Sequence, residues 1–66
     1  MFMEKKRVEI YGTLVYPLVI GQPAFIKEAA GVRRTSSVQH YIQTPSGVIK
    51  IETKNTRYIL RPLDGQ

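Results

Sequence analysis

Cysteine is absent from the chain, histidine occurs once, and carboxylates number only five. The missing cysteine excludes disulfides and thiolate metal sites as sources of stability. His40, with no cysteine or second histidine to join it, does not make a zinc site. The acids Glu4, Glu9, Glu28, Glu52 and Asp64 are scattered rather than grouped as a metal centre or a glycosidase requires. No glycine-rich phosphate loop occurs, and nothing around Ser36, Ser37 and His40 resembles a nucleophile elbow. No catalytic residue, metal or cofactor is therefore expected, and the chain reads as a binding protein. Long apolar runs are missing too. The longest, Leu14 to Ile20, has seven residues and contains Pro17, whereas a crossing helix needs roughly 20. Met1-Phe2-Met3-Glu4-Lys5-Lys6-Arg7 lacks the apolar region and cleavage site of an export signal, so a cytoplasmic location away from any membrane is expected.

What is present is 66 residues, enough for one small domain over positions 1–66. A chain this short buries a thin core and is marginal by itself, so a homo-oligomer is expected. Ten basic residues against five acidic ones give a net charge of +5. That surplus suits nucleic acid, nucleotides or acidic proteins, and it also serves solubility.

Arg7 to Tyr16 alternates, with Val8, Ile10, Gly12, Leu14 and Tyr16 on one face and Arg7, Glu9, Tyr11, Thr13 and Val15 on the other. This period of two predicts a half-buried strand, and Gly12 predicts a bulge or sharp bend within it. Tyr16 to Pro23 is a connection with two prolines and a glycine that carries apolar side chains over one end of the fold or toward a partner. Ala24 to Ala30 fits two readings. Pro23 and Gly31 are sound helix start and stop signals, while alternation makes it a strand. The strand is preferred because the rest of the chain reads as β.

Arg33 to Gln43 and Val48 to Thr53 alternate about the turn Thr44-Pro45-Ser46-Gly47. Pairing Gln43 with Val48 sets Ile42 opposite Ile49, His40 opposite Ile51 and Val38 opposite Thr53. A shift of one residue sets Ile42 against Lys50, so hydrophobic matching selects the first register. A second turn at Asn55-Thr56 sets Thr53 opposite Tyr58 and Ile51 opposite Leu60. Both hairpins then bury Val38, His40, Ile42, Ile49, Ile51, Thr53, Tyr58 and Leu60 on one face. Arg61-Pro62-Leu63-Asp64-Gly65-Gln66 reads as a tail. The expected fold is all-β: an SH3-like partly open barrel of about five antiparallel strands with a C-terminal three-stranded meander.

This register carries Arg33, Arg34, Thr35 and Ser36 to the turn that holds Lys54, Asn55, Thr56 and Arg57. Guanidinium forks, hydroxyls and turn amides are the donors that a phosphate-bearing ligand needs. The same residue types also satisfy turn backbone while their charges stay in water. Tyr41, on the outward face, is a candidate for stacking on a base.

The pattern Arg34-Thr35-Ser36-x-Val38, a hairpin, then Glu52-Thr53-x-Asn55-Thr56-x-Tyr58 resembles short SH3-like barrel proteins often carried by phages and mobile elements. The resemblance covers the C-terminal half and implies binding of host nucleic acid, inhibition of a host defence protein, or sequestration of a signalling nucleotide in the host cytoplasm. Combined with the compact patch, it favours a small nucleotide held non-catalytically, as by an anti-defence sponge. The alternatives are a nucleic-acid-binding module and a protein-interaction module that contacts a host protein through Leu18-Val19-Ile20.

Overall fold

A computed structural model of the protein describes residues 5–62; the readings for residues 1–4 and for the tail beyond Pro62 lie outside the described residues. Every regular element among them is a strand, and no helix is long and apolar enough to cross a membrane. In chain order the strands are β1 (Lys6–Tyr11), β2 (Thr13–Leu14), β3 (Pro23–Glu28), β4 (Gly31–Ser37), β5 (His40–Gln43), β6 (Ile49–Glu52) and β7 (Thr56–Arg61). They build a four-stranded sheet in the order β1-β7-β6-β5 and a three-stranded sheet in the order β2-β3-β4. The fold is all-β, and β5, β6 and β7 form the expected antiparallel meander. Seven strands replace the expected five, and the two sheets do not close into a barrel.

Two stretches expected to be single strands each change sheets. The first breaks at Gly12. A Cβ there would stand 2.3 Å from the Lys27 carbonyl oxygen and 3.1 Å from Ile26 Cγ2, so the chain crosses β3 too closely for any side chain. The Gly12 N–H donates to the Arg61 carbonyl at 3.0 Å, which ends β1 against β7 before β2 joins the other sheet. The second break is at Val38 and Gln39. Val38 is buried, accepts a hydrogen bond from the Gly21 N–H at 2.8 Å, and donates its own N–H to the Gln22 carbonyl at 2.9 Å. Gln39 then donates to the Glu52 carbonyl at 2.8 Å and opens the other sheet. Such corners let a short chain fold two layers over one core.

That core takes Ile10, Ile51 and Leu60 from the larger sheet and Ala24 and Ile26 from the smaller, with Val38 at the corner. Val8, Leu14, Leu18, Ile49 and Tyr58 pack around it. Each fully buried isoleucine contributes about 1.5–3 kcal/mol relative to exposure. Residues 24–28 follow the strand reading, with Ala24 and Ile26 inward and the turn at Ala29-Ala30.

The first hairpin corrects the expected register by one residue. Gln43 pairs with Ile49, Ile42 with Lys50, Tyr41 with Ile51 and His40 with Glu52. The cause is the turn. Thr44 is the closing residue, its N–H donating to the Val48 carbonyl at 2.9 Å, while the Gly47 N–H donates to Thr44 at 3.0 Å. The Thr44 hydroxyl accepts from the Val48 N–H at 3.1 Å, and Gly47 takes a left-handed φ of 91°. The loop is thus three residues, Pro45 to Gly47, rather than four. One residue of slip turns β5 over. His40 and Ile42 leave the expected core face for the outer one, and Tyr41 goes inward opposite Ile51.

The second hairpin slips by two, which preserves the faces. Thr53 closes on Thr56, its N–H and its hydroxyl both donating to the Thr56 carbonyl, at 2.9 and 3.1 Å. Lys54 and Asn55 form the turn instead of Asn55 and Thr56, and Ile51 faces Tyr58 instead of Leu60. Arg61, expected in the tail, belongs to β7.

The remaining contact was not legible. β1 lies parallel to β7, with Arg7 beside Arg57, Glu9 beside Ile59 and Tyr11 beside Arg61. Lys5 fastens its start, donating from Nζ to Glu52 Oε1 at 3.1 Å and to the Thr53 carbonyl at 2.9 Å.

Candidate functional site

Strand alternation presents one face of the four-stranded sheet to the core and leaves the other to solvent. Register aligns the outer residues in rows. The first row reads His40, Glu52, Arg57, Arg7 across β5, β6, β7 and β1. The second reads Ile42, Lys50, Ile59, Glu9. In the third, Thr44 closes against Val48, and Arg61 pairs with Tyr11. Apart from Glu9 and Tyr11, these residues line a depression of about 550 Å³, to which Ser46 adds a hydroxyl from the loop. The volume lies within the range of small-ligand sites, roughly 300–1,000 Å³.

The floor is apolar. Ile59 is 4% exposed although it points away from the intersheet core, and Ile42, on the edge strand, is half exposed. Long basic side chains cover such a floor with their stems and keep their charged ends in water. Four cations line the depression: Arg7, Lys50, Arg57 and Arg61.

Two carboxylates hold three of these cations in place. Glu9 Oε2 is 3.5 Å from Arg7 Nη2 and accepts from Arg61 Nη2 at 3.4 Å. Glu52 Oε2 accepts from Arg57 Nε at 3.0 Å, and its other oxygen takes Lys5. The hydrogen bond from Lys5, aided by its charge and by Arg57, holds the Glu52 carboxyl below the usual carboxylate range against a smaller opposing effect of burial. Lys50 has no carboxylate within 4.0 Å among the described residues. Exposed pairs of this kind are weak and screened by solvent, so their cations stay accessible. On the loop side, the Thr44 and Ser46 hydroxyls stand 3.0 Å apart.

Of the eight residues expected to form a site, only Arg57 lines this depression. Ser37 stands opposite Pro23 rather than Lys54, so the strand pairing that was to join the two groups does not form. Arg33 and Arg34 lie on β4 opposite Ile26 and Phe25. Arg33 is ion-paired with Glu28, whose hydrogen bond raises its already high proton affinity. Thr35 is buried, its hydroxyl accepting from the Ala24 N–H at 2.9 Å and donating to the Ser36 carbonyl at 2.6 Å. Ser36 is exposed on β4. Lys54 and Asn55 are exposed at the hairpin tip, and Thr56 is half-buried beside them. Tyr41 lies on the side of β5 away from the depression.

Sequence reasoning missed Arg7, Lys50 and Arg61. Their parity was a usable signal, since Arg7, Arg57 and Arg61 each alternate with inward apolar residues. The parallel pairing that brings Arg7 to the others leaves no local mark.

No protein-family model matches the chain, and neither a curated protein nor a solved structure was found that matches it.

Proposed function

We propose that the protein binds a phosphate-bearing ligand of nucleotide size, without catalysis, on the outer face of its four-stranded sheet. The observation that carries this reading is that Arg7, Lys50, Arg57 and Arg61 line, together with Ile42 and Ile59, a depression of about 550 Å³. Guanidinium groups take phosphate oxygens in a bidentate fork, and Ile42 and Ile59 give a base or sugar an apolar surface to lie on. Glu9 and Glu52 are engaged by cations, which favours holding a ligand over acid–base chemistry on it. Sequestration of a signalling nucleotide, as the resemblance to phage-borne SH3-like proteins implies, is consistent with such a site.

The test is a thermal-shift and calorimetric screen with inorganic phosphate, nucleotides and short oligonucleotides on the parent, Arg57→Gln, Arg61→Gln and Arg34→Ala proteins. A nucleotide should raise Tm saturably, the first two variants should weaken it, and Arg34→Ala should bind as the parent does. Loss of binding in Arg34→Ala alone would return the site to β4. Affinity that grows with strand length and falls steeply with salt would establish the nucleic-acid reading instead.

A second reading rests on a separate observation. From Gly12 to Ile26 the chain carries no charged residue, and Val15, Tyr16, Val19 and Ile20 are exposed there. We propose a second copy of the chain as the protein that this surface contacts. An uncharged surface lets two molecules of net charge +5 meet without bringing cations together. Sedimentation should show a dimer that Ile20→Glu dissociates. A parent that sediments as a monomer would remove this reading.

A further inference from the structure

The arrangement of cations across the sheet goes further than their number. Outer residues along a strand are two positions apart, so adjacent rows are spaced about 6.6–6.8 Å. Arg57 stands in the first row, Ile59 in the second and Arg61 in the third, all on β7. The two arginine backbones are therefore about 13 Å apart with an isoleucine between them. Arg7 and His40 share the first row with Arg57. Thr44 and Ser46 bring hydroxyls to the other end, beside Arg61 and Val48. Lys50 belongs to the middle row, where its flexible stem lets one ammonium serve either end.

We infer that the ligand is two-ended: a small molecule with one phosphate at the Arg7–Arg57 end, another at the Arg61–Thr44 end, and an apolar or aromatic body over Ile42 and Ile59. The inference rests on the phosphate reading above and specifies its ligand class. Nucleoside bisphosphates with phosphates on opposite sides of the sugar, and small dinucleotides, have this shape. A ligand with all its charge at one end engages one cluster and leaves the other to water. The ion pairs are distributed to match. Glu52 neutralises the first cluster, and Glu9, shared by Arg7 and Arg61, reaches toward both ends from the edge strand. A phosphate at the first end thus competes with the Arg7–Glu9 and Arg57–Glu52 contacts, one at the other end with Arg61–Glu9 alone, and each gains a guanidinium fork.

The test uses the full chain and calorimetry with two probes, a nucleoside 5′-monophosphate and a nucleoside 3′,5′-bisphosphate. These are titrated into the parent, Arg57→Gln and Arg61→Gln proteins, with circular dichroism confirming that each variant is folded. The bisphosphate should bind the parent about tenfold or more tightly than the monophosphate. Either variant should bring the bisphosphate down to about monophosphate affinity, while the monophosphate should respond strongly to only one of them. Equal affinity of the two probes for the parent would overturn the two-ended ligand and leave phosphate binding intact. Sensitivity of both probes to one arginine, with both indifferent to the other, would do likewise. Failure of both probes and of inorganic phosphate to bind would overturn the phosphate reading together with this one.

Discussion

Arg7 and Arg57 are neighbours across a parallel strand pair, on the same face, although they come from opposite ends of the described chain. Like charges placed opposite one another cost a sheet roughly 0.2–1 kcal/mol. Glu9 lies against Arg7 and Glu52 against Arg57, so the repulsion is moderated but not removed. On the proposed reading, this like-charge pair at the border of the depression serves ligand binding rather than stability.

Arg7→Gln should separate the two roles. With the like-charge contact gone, Tm should stay level or rise, by no more than about 4 °C. Nucleotide affinity should fall about tenfold, the worth of one charged hydrogen bond. Differential scanning calorimetry and titration calorimetry on the same preparation read both numbers. A fall in Tm alongside the loss of binding would make Arg7 a structural residue.

Gly12→Ala tests the corner. Its Cβ has no room against the Lys27 carbonyl, and a backbone oxygen does not move aside as a side chain does. The expected loss is about 1–3 kcal/mol, read as a lower urea midpoint at unchanged slope. Ligand affinity should fall as well, because the corner fixes β1 and with it Arg7 and Glu9. A variant as stable as the parent would show that the chain passes β3 at a greater distance.

The register of the first hairpin makes opposite demands on two isoleucines. Ile51 is fully buried and Ile42 is half exposed on the outer face. Ile51→Ala should cost about 2–5 kcal/mol, whereas Ile42→Lys should stay within about 0.5 kcal/mol of the parent. Chemical denaturation of the two variants decides the matter. Severe destabilisation by Ile42→Lys would restore the register in which Ile42 faces Ile49.

The same hairpin shows how far the sequence could be read. Alternation correctly placed Val8, Ile10, Ile51 and Leu60 toward the core and Arg7, Glu9 and Tyr11 away from it. It could not decide whether Thr44 belonged to the loop or to the strand. That choice depends on a hydroxyl accepting from the Val48 N–H and on a left-handed glycine, and it determines which face of β5 meets solvent. Matching Ile42 to Ile49 is sound when both faces of the choice are otherwise equal. Here Ile42 stands opposite Lys50 and is half exposed, so the turn's hydrogen bonds, and not the burial of this side chain, set the register. The candidate site was legible only in Arg57, because Arg7 joins through the β1–β7 pair, alternation sets Lys50 on a face without a partner site, and Arg61 reads as part of the tail. A parallel pairing between the first and last strands has no turn to announce it.

Acid should weaken the fold through Glu52. Lys5, by hydrogen bond and charge, and Arg57 together hold its carboxyl below the usual value of 4.5. A carboxyl depressed in the folded state favours folding above its unfolded value, and that contribution disappears as pH falls through the depressed one. Tm of the parent should therefore decline below about pH 4.5. Glu52→Gln should melt lower than the parent at pH 7 and show a shallower decline in acid. Parallel melting curves for the two proteins across that window would exclude Glu52 as a source of the acid sensitivity.

The parallel seam between β1 and β7 also sets a clock. β1 is made before its partner β7, with β2 to β6 between them, so the two cannot join until those five strands have been synthesised. The meander can form from local contacts beforehand, with Arg57 and Arg61 on one strand but Arg7 and Glu9 still elsewhere. The outer face therefore assembles in two stages, its β5-β6-β7 part from neighbours in sequence and its β1 border only by a long-range closure.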